Sequence, residues 1–193
     1  MAYKPSFSDR FWKTASAPFK DQKDLELDFQ YAAMTNKLWR AEYLLNKKGV
    51  DIASGDHFAL RWAANGGHDE MVRLLLRYGG TDVNAKHGDA LIRAVTQNKP
   101  AVVDVLLEHG ADIAQQEFKA LHLAHEKNNI VVLSQLVSSG QDLRAPVAHL
   151  RADAEAQDDG SHAAAARLKL YGDYLAQRID PRPPAAGRYR PGF

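Results

Sequence analysis

The chain has 193 residues, with 25 Lys and Arg against 24 Asp and Glu and a formal net charge of +1. A charge so near zero gives no electrostatic reason to bind DNA or an anionic membrane. With no cysteine in the sequence, disulfides and thiol chemistry are excluded, and a reducing, cytoplasmic setting is expected.

Residues 1–24 carry Tyr3, Phe7, Phe11, Trp12 and Phe19 but no continuous apolar stretch. No signal peptide is expected there. The aromatics suggest an arm, or a cap over the exposed end of the next segment. No later apolar run approaches the roughly 20 residues that span a bilayer.

Residues 25–144 repeat, in units of about 25–55, 56–86, 87–116 and 117–144. Gly49, Gly79, Gly110 and Gly140 recur 30 or 31 residues apart, and so do Asp51, Asp82, Asp112 and Asp142. Phe29, Leu60, Leu91 and Leu121 share one register, and Ala32, Ala63, Ala94 and Ala124 another. Each unit predicts two antiparallel helices. Leu60, Ala63, Ala64 and Gly67 form one stripe at helical spacing, small enough for a neighbouring helix to approach closely. Met71, Val72, Leu74, Leu75 and Leu76 make the second helix too apolar for a free surface. Breaks such as Asn65-Gly66-Gly67 and Gln97-Asn98-Lys99 turn the chain, and the glycine after the second helix suits a left-handed C-cap. One helix pair cannot bury its own apolar face, so the copies must stack.

The run Leu60-Arg61-Trp62-Ala63-Ala64-Asn65-Gly66-Gly67-His68, with Val72, Leu75, Leu76, Gly79, Asp82, Val83 and Asn84 after it, resembles the ankyrin repeat family. The family's Thr-Pro-Leu-His opening is degraded here to Phe58-Ala59-Leu60-Arg61, Asp89-Ala90-Leu91-Ile92 and Lys119-Ala120-Leu121-His122. The period falls short of the family's 33 or so. The deficit lies between Asn84 and Leu91 and at the equivalent steps Ala53–Leu60 and Ala114–Leu121. That stretch forms the projecting finger in ankyrin proteins, so shortened fingers with little or no strand are expected. The implied fold is an all-α ankyrin-like solenoid, closed by a C-terminal helical cap.

That cap occupies residues 145–179. Val147 to Glu155 predicts one helix, Gln157-Asp158-Asp159-Gly160 a turn, and Ser161 the N-cap of a last helix. Leu168, Tyr171, Leu175 and Ile179 line one face of that helix. Residues 180–193 hold four prolines and two glycines and exclude a helix. Composition favours a disordered tail. The alternative is a docking arm using Arg182, Arg188, Tyr189, Arg190 and Phe193.

Catalytic signatures are missing. Gly66-Gly67 and Gly79-Gly80 lack the lysine and the strand–helix context of a phosphate loop, and no Gly-x-Ser-x-Gly elbow occurs. His122 and His125, three apart, are the only close helical histidine pair; no third ligand accompanies them, and structural roles are expected. No enzyme activity, cofactor, metal, small-molecule substrate or nucleic-acid partner is expected.

The resemblance implies a protein-binding module: an adaptor, inhibitor or regulatory subunit. The alternative is a structural subunit of a larger bacterial or viral assembly, anchored by its terminal arms. A partner would meet the concave face, where Tyr31, Trp62, Arg93 and Leu123 form a ladder across the repeats. Asn65, Thr96 and Glu126 follow one turn on, with Gln97 beside them. The finger tips Asp56, His57, His87, Asp89, Gln116 and Glu117 complete the expected surface. Packing between repeats is the competing role for Trp62 and Leu123.

Overall fold

A computed structural model describes residues 21–157 and 160–177. These hold ten helices and no strand: α1 Gln22–Met34, α2 Leu38–Lys48, α3 Ser54–Gly66, α4 Asp69–Tyr78, α5 Ala85–Thr96, α6 Pro100–Glu108, α7 Gln115–Glu126, α8 Ile130–Ser138, α9 Arg144–Ala156 and α10 His162–Gln177. Consecutive helices pair, and the pairs stack as an ankyrin-like solenoid.

The alanine stripe sets the stack. Ala32, Ala63, Ala94 and Ala124 are at most 1 % exposed, and Phe29, Leu60, Leu91 and Leu121 are buried beside them. With only a methyl group in the way, α1, α3, α5 and α7 approach along more of their length than their second-helix counterparts do. Bulkier residues such as Met71, Leu75, Leu106, Leu133 and Leu136 fill the space towards the second helices and are fully buried. The turn inside each pair places one residue, Asn36, Gly67, Asn98 or Asn128, at positive φ. Asparagine and glycine are the residues that tolerate it best.

The recurring aspartates make turns. The Oδ1 atoms of Asp51, Asp82, Asp112 and Asp142 accept hydrogen bonds from the backbone N–H two residues on, at 2.9, 2.9, 2.9 and 3.2 Å. The side chain thereby mimics a backbone turn where the second helix hands over to the next repeat. The glycines just before these aspartates do not all share one conformation. Gly49 is left-handed as expected, at φ 60° and ψ 38°. Gly79 instead has φ 88° and ψ 160°, an extended mirror-image conformation essentially reserved for glycine.

The shortened finger collapses into a left-handed turn. Gly55-Asp56-His57, Lys86-His87-Gly88 and Gln116-Glu117-Phe118 all have φ between 51 and 73°. Each turn closes through a backbone bond: His57 to Ala53 at 3.0 Å, Gly88 to Asn84 at 2.9 Å and Phe118 to Ala114 at 3.4 Å. With too few residues for a hairpin, the chain reverses in one tight loop before the right-handed helix resumes. Side-chain amides replace strand pairing between repeats. Asn84 Oδ1 accepts from Asp112 N at 2.8 Å, and Gln141 Oε1 accepts from Ile113 N at 2.9 Å.

A left-handed residue other than glycine costs roughly 1–2 kcal/mol. The first two turns each include a glycine; the third has none. Glu117 is exposed, at φ 55°. Glu117→Gly should therefore stabilise the protein by about 0.5–1 kcal/mol after glycine's extra unfolded-state entropy is allowed for. Urea unfolding measures the gain.

At the C-terminal end α9 and α10 pack on each other, and α10 lies against α8. Helix α9 starts before the expected Val147, because Pro146 falls in its first turn, where its missing N–H is not needed. Ser161 Oγ accepts from Ala164 N at 3.1 Å and caps α10. Two tyrosines join this pair to the repeats. Tyr171 shares a buried 2.8 Å hydrogen bond with His125 Nδ1. The Tyr174 hydroxyl accepts from Leu143 N at 2.8 Å and donates to Gln141 O at 3.2 Å. Ile179 and Asp158-Asp159 lie outside the described residues.

Candidate interaction face

The first helices and the left-handed turns form one continuous side of the stack. At its N-terminal end, Leu27, Tyr31 and Met34 stand at i, i+4 and i+7 on α1 and are 55, 60 and 38 % exposed. Among the described residues nothing covers this apolar stripe, although apolar groups of this size generally gain from burial.

Next along the ladder Trp62 is half-buried. Its ring tilts against Phe58, one helical turn earlier, with centroids 5.6 Å apart. The Arg93 guanidinium, from the next repeat, lies over the Trp62 ring, 5.0 Å from its centroid, a cation–π distance. Arg93 Nε donates to Asp89 Oδ2 at 2.7 Å, and Arg61 Nη1 donates to the same oxygen at 3.0 Å. Arg61 also donates through Nε to Asp56 O at 3.1 Å and through Nη2 to Gly55 O at 3.1 Å. It thus holds its own turn to the next repeat's helix. Burial pushes the Asp89 carboxyl up, but the hydrogen bonds and charges of Arg93 and Arg61 outweigh this and hold it below its ordinary value. Asp89 is therefore a carboxylate at neutral pH.

The remaining expected residues divide. Asn65 is half-buried and its amide has no partner among the described residues. The Thr96 hydroxyl donates back to Ile92 O at 2.7 Å, within its own helix. Gln97 and Glu126 are exposed. Leu123 packs against the core cluster, so this rung of the ladder serves stacking more than display. At the turns, Asp56 pairs with Lys86 at 2.8 Å, and Gln116 Nε2 donates to His87 O at 3.2 Å. Neighbouring turns are thus linked side by side. The hydrogen bond from Lys86, more than its charge, keeps the Asp56 carboxyl below its ordinary value. His57 is half-buried, whereas His87 and Glu117 are exposed. Arg182, Arg188, Tyr189, Arg190 and Phe193 lie outside the described residues.

Sequence reasoning missed Leu27, Phe58, Arg61 and Lys86. Phe58–Trp62 was open to detection as an i,i+4 pair; the Arg61–Asp89 and Lys86–Asp56 pairs cross repeats and carry no local signal.

Chemically the face offers aromatic surface, guanidinium and amide groups, with no nucleophile–base pair. Among the described residues no three His, Cys, Asp or Glu side chains gather as metal ligands, and no helix is long and apolar enough to cross a membrane. On the second-helix side, a groove of about 430 Å³ between α6 and α8 is lined by Asp104, Glu108, Ser134 and Ser138 with Leu107. It is open to solvent and shallow, unlike the enclosed cleft of a small-molecule pocket.

Residues 29–117 match the family model for ankyrin repeats, in three copies. No curated protein matches the sequence. Ankyrin repeats are generally protein–protein interaction modules and are typically non-catalytic. The α7–α8 pair carries the same alanine register, aspartate turn and positive-φ asparagine beyond the matched residues. By the family match over residues 29–117 and by helix pairs that stack copy upon copy, the chain contains ankyrin repeats and folds as an ankyrin-like helical solenoid.

Proposed function

We propose that the chain is an adaptor, inhibitor or regulatory subunit that holds another protein against its first-helix face. The observation that carries this reading is the uncovered stripe of Leu27, Tyr31 and Met34, continued by the Trp62–Arg93 stack on the next two repeats. Tyr, Trp and Arg are the residue types in which interface hot spots are enriched. Rigid helices also lose little entropy when they bind. The close approach of the alanine-lined first helices would bend the stack towards this side, so that a partner would meet a concave surface. Asn65, Gln97 and Glu126 would supply polar contacts around the aromatic centre, and Asp56, His57, His87, Gln116 and Glu117 would form its rim.

Trp62→Ala tests the reading. Affinity for the partner retained from a native extract should fall tenfold or more, as for a hot spot worth about 2 kcal/mol. The thermal midpoint should move only slightly, because the ring is half-buried and its main contacts are Phe58 and Arg93. Unchanged capture with a large drop in melting temperature would assign Trp62 to packing and reject the proposal.

A further inference from the structure

The two arginines around Asp89 are not equally occupied. Arg61 commits all three of its nitrogens to Asp56 O, Asp89 Oδ2 and Gly55 O. Arg93 commits only Nε, to Asp89 Oδ2. Both of its terminal amino groups are without a partner among the described residues, and its side chain is 30 % exposed. We infer that the notch formed by Trp62, Asn65 and Arg93 receives the carboxylate of an acidic peptide segment in which an Asp or Glu lies close to a large apolar residue. This rests on the first-helix face being the docking surface.

The chemistry is that of a preset fork. The Trp62 ring walls one side of the guanidinium, and Asp89 anchors it through Nε. Much of the rotamer freedom that binding would remove is therefore already gone. Two parallel N–H donors match the two oxygens of a carboxylate in a bidentate pair, which an ammonium group cannot reproduce. Two guanidiniums share one ionised carboxylate, so the cluster keeps a single positive charge. A carboxylate balances that charge. A phosphate dianion would overshoot it and would face Asp89 as well. The unpartnered amide of Asn65, one turn from Trp62, offers both a donor and an acceptor to a peptide backbone. Tyr31 and Met34, exposed on the preceding repeat, provide surface for the apolar neighbour.

Random 12-residue peptides are selected on the full chain, resynthesised with a fluorescein label, and titrated by fluorescence polarisation. The expected peptides carry Asp or Glu within a few residues of Leu, Ile, Phe or Trp. Changing that acid to its amide should lower affinity about tenfold, the loss of a charge-assisted bond. Arg93→Gln should lower affinity for the acidic peptide by a similar factor and leave the amide peptide unaffected. Arg93→Lys, which keeps the charge, should recover little. Thermal melts check that each variant is folded, and the peptide-side exchange needs no protein variant. No enrichment, enrichment of acid-free peptides, equal binding to folded Arg93→Gln, or tighter binding of a phosphoserine version would overturn the inference. Binding that depends on Trp62 but ignores Arg93 would remove the carboxylate notch alone. Binding that ignores Trp62→Ala and Arg93→Gln alike would remove the docking face with it.

Discussion

Tyr171→Ala should destabilise the C-terminal helical pair by about 3–5 kcal/mol, the range for truncating a fully buried aromatic residue. Tyr171 is the largest fully buried side chain described. Its ring stacks at 6.0 Å on His125, and its hydroxyl is that histidine's hydrogen-bond partner. The truncation therefore opens a cavity and strands a buried imidazole nitrogen. Because each unit of a solenoid contacts only its neighbours, the damage should stay local at first. Hydrogen exchange should show α10 losing protection while α3 to α6 keep theirs. Uniform loss across all helices, or none, would contradict this account. Tyr171→Phe separates the terms: it keeps the ring and removes only the hydroxyl, and should cost about 1–3 kcal/mol.

Acid acts on the same joint. Burial lowers the pKa of His125 from its ordinary 6.5, and the nearby Arg167 charge lowers it further; His122 adds to the effect, while Asp153 and Glu126 oppose it. The folded state binds this proton less readily than the unfolded state. The stabilisation from a neutral His125 is thus complete above 6.5 and drains away as pH falls from there through the lower folded value. Burial pushes the Tyr171 hydroxyl up to about 12, so that side of the bond stays neutral throughout. Protection of α10 should weaken below pH 6.5, before the carboxylates titrate.

Ala94→Leu should be the most damaging single change among the repeats, by about 3 kcal/mol. Ala94 is fully buried on α5, and α5 packs against α3 on one side and α7 on the other. Three further carbons there have no void to enter, so the helices must separate or the side chain must leave its rotamer well. The change strikes the interface between copies. Urea unfolding followed by circular dichroism should lose its single sharp transition as the two halves of the stack uncouple. One unchanged transition would mean that close approach of the first helices does not hold the stack together.

Recurrence made most of the fold legible. The alanine register told which side of each first helix meets its neighbour, and its members are buried as that spacing requires. The aspartates were visible as landmarks, but their work as side-chain turns appeared only with the hydrogen bonds. The missing finger residues pointed to absent strands. The left-handed triplets that replace them were not legible, because residues such as Lys86, Glu117 and Phe118 are poor formers of that conformation and only chain closure forces them into it.

The candidate face was legible in part. Arg93 and Trp62 were chosen from their register, yet the arrangement depends on Asp89 being shared with Arg61 from 28 residues away. Leu123 has the same register as Trp62 and turned out to pack on the core. Both are half-buried at the same helical position; what differs is the neighbours, the core cluster for Leu123 and Phe58 with Arg93 for Trp62.

By itself, then, the sequence determined the elements, their pairing and their order of stacking, because each depends on spacing within 30 or so residues and that spacing is written four times over. Tertiary structure alone decided that two arginines would surround one aspartate, that His125 would meet Tyr171 46 residues on, and that Arg93 would keep two amino groups unspent. Those contacts join different repeats, and their geometry follows from how closely the alanines let the helices approach.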